Sequence, residues 1–159
     1  LDNKSDDEKQ RILEAKTRRS KRYSAEAERF ILKLLNAFGI DADSPEVYFS
    51  DNEWFISYRD ENNKHRLFFY DLVIRDLKIV VEYNGSSWHA RPTLSQAELA
   101  AWANPVTRLN GFEQQAKDTF KNALAEKSGF KVFTVWDYED HDAAIDRIIN
   151  NERLNGNTK

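Results

Sequence analysis

The clearest periodic segment of the chain lies between Ser24 and Gly39. Five apolar residues recur there at the three- and four-residue spacing of one helix face: Phe30, Ile31, Leu34, Leu35 and Phe38. Ser24 fits a helix N-cap, and Gly39 fits a C-terminal stop. The pattern therefore predicts an amphipathic helix that begins near Ser24 and ends before Gly39.

Segments rich in aromatic and β-branched residues follow, separated by polar turns such as DENNK. They predict strands at about 46–50, 53–59, 66–74 and 78–83 in an antiparallel meander. Further on, the pattern predicts two helices, a buried strand and a closing helix, at 95–103, 111–127, 131–137 and 141–150. The order helix, strands, helix, strand, helix is typical of an α/β (α+β) domain.

The two ends of the chain differ from this central part. Residues 1–22 are almost wholly polar, with Ile12 and Leu13 as an apolar pair, so we expect a solvent-exposed helical arm without a core role. Residues 151–159 have little to bury and are expected to form a loose tail. This division leaves 23–150 as one folded domain.

Composition narrows the chemistry. The 159 residues contain no cysteine, which excludes disulfides and thiolate zinc sites, so any metal must be held by oxygen or imidazole. No apolar run approaches the roughly 20 residues that cross a bilayer, and the N-terminus lacks a signal-peptide pattern, so we expect a cytoplasmic protein without a membrane partner. The net charge is −3, but the run KTRRSKR at 16–22 is basic enough to lie along phosphates or to form a solvated linker.

Two acids interrupt the apolar segment FFYDLVIRDLKIVVEYNGSSWH. With a turn centred on Asp76 and Leu77, antiparallel pairing would set Asp71 opposite Glu82, their Cβ atoms about 4.5–5.5 Å apart. Like charges so placed destabilise a sheet unless they are neutralised, and Mg²⁺ prefers such carboxylate oxygens. A shifted register is the alternative, or pairing of one acid with a nearby cation: Lys64, Arg75 or Lys78.

His89 follows Glu82 by seven residues, in the turn YNGSSWHARP. An imidazole there could move a proton near neutral pH while a metal stabilises charge on a phosphate. A histidine in a turn is otherwise a solvated side chain, which is our interpretation of His65 and His141.

The run YD, then VVEYNG, WHARP, KDTFK and GFKVFTVWDYED, resembles the very-short-patch-repair-like nucleases. It is more closely similar to the phage-associated EDxHD homing endonucleases, a branch of the PD-(D/E)xK superfamily. The likeness covers about residues 24–140 and implies a restriction-endonuclease-like core, in which a mixed sheet is flanked by helices. It further implies hydrolysis of the DNA backbone around Mg²⁺, or Mn²⁺ in its place.

The resemblance also implies roles for particular residues. It implies five catalytic positions, namely Glu28, Asp71, Glu82, His89 and Asp118, with Asp71 and Glu82 as the metal ligands and with Arg91, Lys117 and Lys121 on phosphate. Glu26 stays open as an alternative to Glu28. On a helical wheel, Asp118 points away from the apolar stripe of its helix, so Glu113 and Lys117 are reserve candidates; that stripe comprises Phe112, Ala116, Phe120 and Leu124.

Two departures qualify the resemblance. Asn84 stands where the simple PD-(D/E)xK pattern has lysine, which gives more weight to His89, and the missing cysteines argue against mismatch repair. The leading hypothesis is the catalytic domain of a phage-type homing endonuclease acting on double-stranded DNA. The alternatives are a mismatch- or structure-specific repair nickase and a non-catalytic DNA-binding module.

Further partners are expected outside this domain. The chain begins at Leu1 and contains no methionine, so we expect a fragment whose DNA-recognition domain lies elsewhere. Cutting both strands would require a homodimer or sequential nicks. The four tryptophans are expected to pack in the core rather than to stack on bases, with Trp88 and Trp102 as the best exceptions.

Overall fold

The computed structural model describes residues 5–20 and 24–157, and side chains within 5–15 and 24–154. The basic run 16–22 therefore lies outside the described side chains. Contacts divide the chain into two units, 1–78 and 79–159. Among the described residues, no helix combines the length and the apolar character needed to cross a bilayer.

The first unit combines two helices with two antiparallel strands. The elements are α1 (Asp6–Ser20), α2 (Ala25–Phe38), β1 (Val47–Arg59) and β2 (His65–Ile74). The predicted amphipathic helix is confirmed as α2: the Ser24 side chain accepts from the Ala27 N–H, and Gly39 ends the helix at φ 74°. Its apolar face is buried through Phe30, Ile31, Leu34 and Leu35.

The expectation that residues 1–22 lack a core role was wrong. Ile12 of α1 is only 2% exposed, and the helix lies against β1 and β2. The neighbouring Leu13 is 60% exposed. A single buried side chain therefore packs an otherwise polar helix against the sheet. One apolar pair gives too weak a periodic signal for this packing to be predicted from the sequence.

β1 is one irregular strand, whereas the sequence predicted two. Its register against β2 shifts between Phe49 and Trp54, and Ser50 has a φ of 57°. Asp51 and Asn52 are exposed at this irregularity. Extra residues in a β-bulge are unpaired, but the strand continues on either side of them. The polar SDN segment therefore resembles a turn in the sequence, although it does not end the pairing of β1 with β2.

The second unit contains β3 (Ile79–Asn84), α3 (Gln96–Ala101), α4 (Gly111–Lys127), β4 (Lys131–Trp136) and α5 (His141–Asn157). β3 is buried throughout and pairs with β4 in parallel, with Glu82 beside Thr134 and Asn84 beside Trp136. Parallel neighbours need a long crossover, and here the crossover carries α3 and α4. With antiparallel and parallel strand pairs and flanking helices, the predicted mixed α/β class is confirmed.

The expected loose tail from residue 151 is helical through Asn157, because α5 continues beyond its predicted end. Lys131 of β4 explains part of the difference. Its ammonium group contacts the Asn151 side chain and lies 3.6 Å from Glu152 Oε1. These contacts join a polar turn of α5 to the strand, and composition alone does not reveal them.

Capping boxes fix the starts of both crossover helices. Ser95 and Glu98 exchange hydrogen bonds at α3, and Asn110 and Glu113 do so at α4. The bond from the Ser95 backbone N–H, with one from its hydroxyl, holds the pKa of Glu98 below its ordinary value. Glu113 is thus engaged in capping.

Gly111 allows α4 to begin directly against α3. A Cβ atom at this position would lie 2.7 Å from the Leu99 side chain and 2.8 Å from its backbone. We expect Gly111→Ala to lower the free energy of unfolding by about 1–3 kcal/mol, because the Leu99 backbone cannot move aside as the end of a flexible side chain could. Urea denaturation followed by circular dichroism measures the change.

Gly85→Ala is the matched control, since its added Cβ would meet only ordinary contacts of 3.6 and 4.0 Å. Equal stability of the two variants would contradict the proposed close packing of α4 on α3.

Candidate functional site

A hydrogen bond joins the turn after β3 to α4. The N–H groups of Trp88 and His89 both donate to the Gly85 carbonyl, which shapes the turn. His89 Nδ1 then lies 2.8 Å from Asp118 Oδ2, and both side chains are partly exposed. An ionised carboxylate only accepts hydrogen bonds, so this contact favours the proton on Nδ1 and leaves Nε2 of the neutral ring as a proton acceptor.

Two buried amides hold Asp118 from the other side. Gln114 Nε2 donates to Asp118 Oδ1 at 2.9 Å, and Asn104 Nδ2 donates to Gln114 Oε1 at 3.1 Å. Asn104 Nδ2 also donates to the Trp88 carbonyl at 3.1 Å. Gln114 and Asn104 are 4% and 7% exposed. The four side chains form a connected polar network that fixes the direction of the imidazole.

α4 faces inward with its polar side, contrary to the helical-wheel expectation. Gln114 is buried, and Asp118 and Lys121 are partly buried, whereas Phe112 and Phe120 are each 46% exposed. The helical-wheel prediction assumed that the apolar stripe faces the protein interior. The inner stripe instead repeats small and polar residues, so Asp118 lies beside His89, and its exposed helix neighbour Lys117 does not replace it.

Glu82 forms an ion pair with α4. Glu82 is only 4% exposed on β3, and Lys121 Nζ donates to Glu82 Oε2 at 2.5 Å. The Lys121 side chain is itself only 15% exposed. The cation that the sequence assigned to phosphate therefore lies against a buried acid, where it offsets a desolvated negative charge.

The remaining predicted residues have separate surroundings. Asp71 is 6% exposed on β2 of the first unit, and Glu28 is partly buried on α2, where Glu26 is exposed. The roles of Asp71 and Glu28 alongside residues of the second unit stay predictions from the sequence. Arg91 is exposed, with its guanidinium 5.9 Å from the centre of the Tyr138 ring.

Glu53 is a buried acid that the sequence analysis missed. It is 4% exposed on β1, next to the residue that pairs with Tyr70. Strand alternation therefore places Glu53 and Asp71 on the same face of the antiparallel pair. The signal was available, because Glu53 precedes the apolar run WFI as Asp71 precedes LVI.

The carboxylates and imidazoles of the chain are the groups that could bind a metal ion. Among the described side chains, no group of three His, Asp or Glu converges as a metal cage would. Mg²⁺ usually needs only one or two protein carboxylates and completes its shell with water and phosphate. Asp71 and Glu82 are each buried carboxylates, so the predicted ligands have suitable chemistry.

No protein-family profile matches the chain, and comparison with curated proteins gives no significant match. The likeness to EDxHD endonucleases therefore rests on the motifs themselves.

The network predicts the tautomer of His89. We expect long-range ¹H–¹⁵N correlation spectra above the imidazole pKa to show the proton on Nδ1, because Asp118 accepts it. Asp118→Ala should remove this preference. His65, for which the described residues provide no side-chain hydrogen bond, is the internal reference, and the same tautomer population in both histidines would contradict the assignment.

Proposed function

We propose that the chain is a divalent-metal-dependent DNA endonuclease that hydrolyses phosphodiester bonds. One observation carries the proposal: the His89–Asp118 hydrogen bond, backed by buried Gln114, beside the Glu82–Lys121 pair. An oriented imidazole next to buried charges is the arrangement that general acid–base chemistry requires. The motif resemblance supplies the substrate class, double-stranded DNA.

His89 acts as the general base in this mechanism. Its Nε2 removes a proton from a water molecule, and the water oxygen attacks phosphorus. The P–O bond to the leaving deoxyribose oxygen breaks, and that oxygen takes a proton from a solvent water molecule. The imidazolium then returns its Nε2 proton to the hydroxide left in solvent. Asp118 accepts from Nδ1 and stabilises the imidazolium that forms, while Gln114 keeps Asp118 in place.

The motif resemblance assigns Mg²⁺ or Mn²⁺ to the carboxylates of Asp71 and Glu82, and such an ion, when bound, would stabilise negative charge on the phosphate. Lys121 orients the Glu82 carboxylate through its hydrogen bond. Arg91 and Lys117 are exposed cations and could contact backbone phosphates of the DNA. We further propose that a second copy or sequential nicking is needed to cut both strands, since one site cuts one strand at a time.

Replacement of the dyad tests the proposal directly. We expect His89→Ala to lower the rate of plasmid nicking in Mg²⁺ by about 10²–10⁴-fold, the usual contribution of a positioned general base. Asp118→Asn should also lower the rate, because an amide cannot fix the same tautomer. Gel assays with and without EDTA measure cleavage.

His65→Ala is the control and should cleave as the unchanged chain does, since His65 lies on β2 with no part in the dyad. Full activity of a folded His89→Ala variant would refute the base assignment. Salt-dependent DNA binding without EDTA-sensitive cleavage would instead favour the non-catalytic module.

The Glu82–Lys121 pair predicts non-additive effects. Lys121→Met removes the ammonium group that contacts the buried Glu82 carboxylate, so we expect a loss of about 3–5 kcal/mol in unfolding free energy. Adding Glu82→Gln should recover much of that stability, because the buried charge is gone, but should not recover cleavage. Denaturant titration and the nicking assay give the two readouts.

Lys117→Met is the stability control, because Lys117 is exposed on the same helix. Similar losses for Lys117→Met and Lys121→Met would contradict a structural role for the pair.

A further inference from the structure

A cavity of about 410 Å³ opens beside Asp118 in the second unit. Residues of β3, α4 and β4 line it, including Asn84, Gln115, Asp118, Thr119, Asn122 and Trp136. Its volume lies in the range of about 300–1,000 Å³ that is typical of small-molecule sites. The proposed mechanism uses only Asp118 among these residues, so the other lining groups need an explanation.

Asn84 is the most informative lining residue. It is 7% exposed, yet its side-chain amide has no hydrogen-bond partner among the residues that the structure describes. Because these amide atoms are not sealed from solvent, they can donate to and accept from a ligand that enters the cavity. Asn84 also occupies the position where the PD-(D/E)xK pattern has lysine.

The lining chemistry selects the class of ligand. Among the described lining residues none is Lys or Arg, and Asp118 is an acid, so a phosphate group does not fit. Asn84, Gln115 and Asn122 present neutral amides, which offer donors and acceptors together. Gln115 Nε2 already donates to the carbonyls of Ala90 and Arg91, which leaves its Oε1 as an acceptor.

An aromatic ring completes the wall. Trp136 lines the cavity, and its ring stacks on Tyr138 at a centroid distance of 5.8 Å and an interplanar angle of 25°. Amide groups read the hydrogen-bonding edge of a nucleobase, and aromatic faces stack on its plane. Both features occur here on one cavity, next to the proposed proton-transfer residues.

We propose that this cavity binds a single unpaired nucleobase beside the phosphate that is cut. The inference rests on the proposed function, since it deepens the substrate class of the same site. A paired base must first leave its stack, at a cost that is smallest for mismatched or already unpaired bases. The chain should therefore prefer duplexes with an unpaired base, and Asn84 should contribute to that preference.

Binding without metal tests this separately from cleavage. Fluorescence anisotropy in EDTA would compare a duplex oligonucleotide carrying one unpaired adenine with the same duplex fully paired. We expect the unpaired base to strengthen binding by about 10-fold, within the range for one stacked base. Asn84→Ala and Asn122→Ala should each reduce that ratio while leaving affinity for the paired duplex unchanged.

Asn150→Ala is the matched control, because it removes an exposed amide on α5. Thermal melts establish whether each variant folds. If Asn84→Ala does not fold, Asn122→Ala replaces it in the test, because Asn122 occupies a partly exposed position on α4. A ratio near one for the unchanged chain, or a ratio that survives both variants, overturns the inference. Cleavage of paired DNA in Mg²⁺ would then leave the proposed function standing, whereas preference without cleavage would leave only the cavity assignment.

Discussion

The burial of Glu82 constrains the second unit more than any other feature. A carboxylate on a fully buried strand needs a cation or strong donors, because an uncompensated buried charge costs several kcal/mol. Lys121 meets that need, and its position on α4 dictates which side of the helix faces inward. With Lys121 inside, Asp118 and Gln114 follow on the same stripe, and Phe112 and Phe120 remain largely outside. The helix thus gives up apolar burial to satisfy one acid.

The same orientation creates the polar network. Gln114 and Asn104 are neutral, so they orient Asp118 without competing for the charge of a protonated His89. Each of these hydrogen bonds contributes only about 0.5–1.5 kcal/mol net, but leaving one unmade in a buried setting costs more. The network therefore permits few alternative rotamers and holds the imidazole in one direction before any ligand arrives.

Part of the fold could be predicted from local pattern: caps and apolar periodicity located α2, and the range of α4 was predicted correctly although its buried face was not. The bulge in β1, the extension of α5 and the buried Ile12 could not, because each depends on contacts with distant segments. Among the candidate site residues, His89 was proposed from its turn and from the motif resemblance. The helical wheel placed Asp118 away from the inner side of α4, where it contacts His89. A wheel assumes that the apolar face is buried, and buried charge overrides that assumption here. Gln114 and Asn104 gave no signal, since amides are common on solvated helices and loops.

Asn104 joins three parts of the second unit with one side chain. It bonds the Trp88 carbonyl and Gln114, and its Oδ1 accepts from the N–H groups of Val106 and Thr107. The loop 103–110 is closed by a bridge between Ala103 and Asn110. Opening of this loop would therefore also release the carboxylate that orients His89. Local unfolding of the loop and loss of the His89 orientation therefore form one cooperative event. A ligand that holds the imidazole in place should slow amide hydrogen exchange in residues 103–110 without contacting those residues.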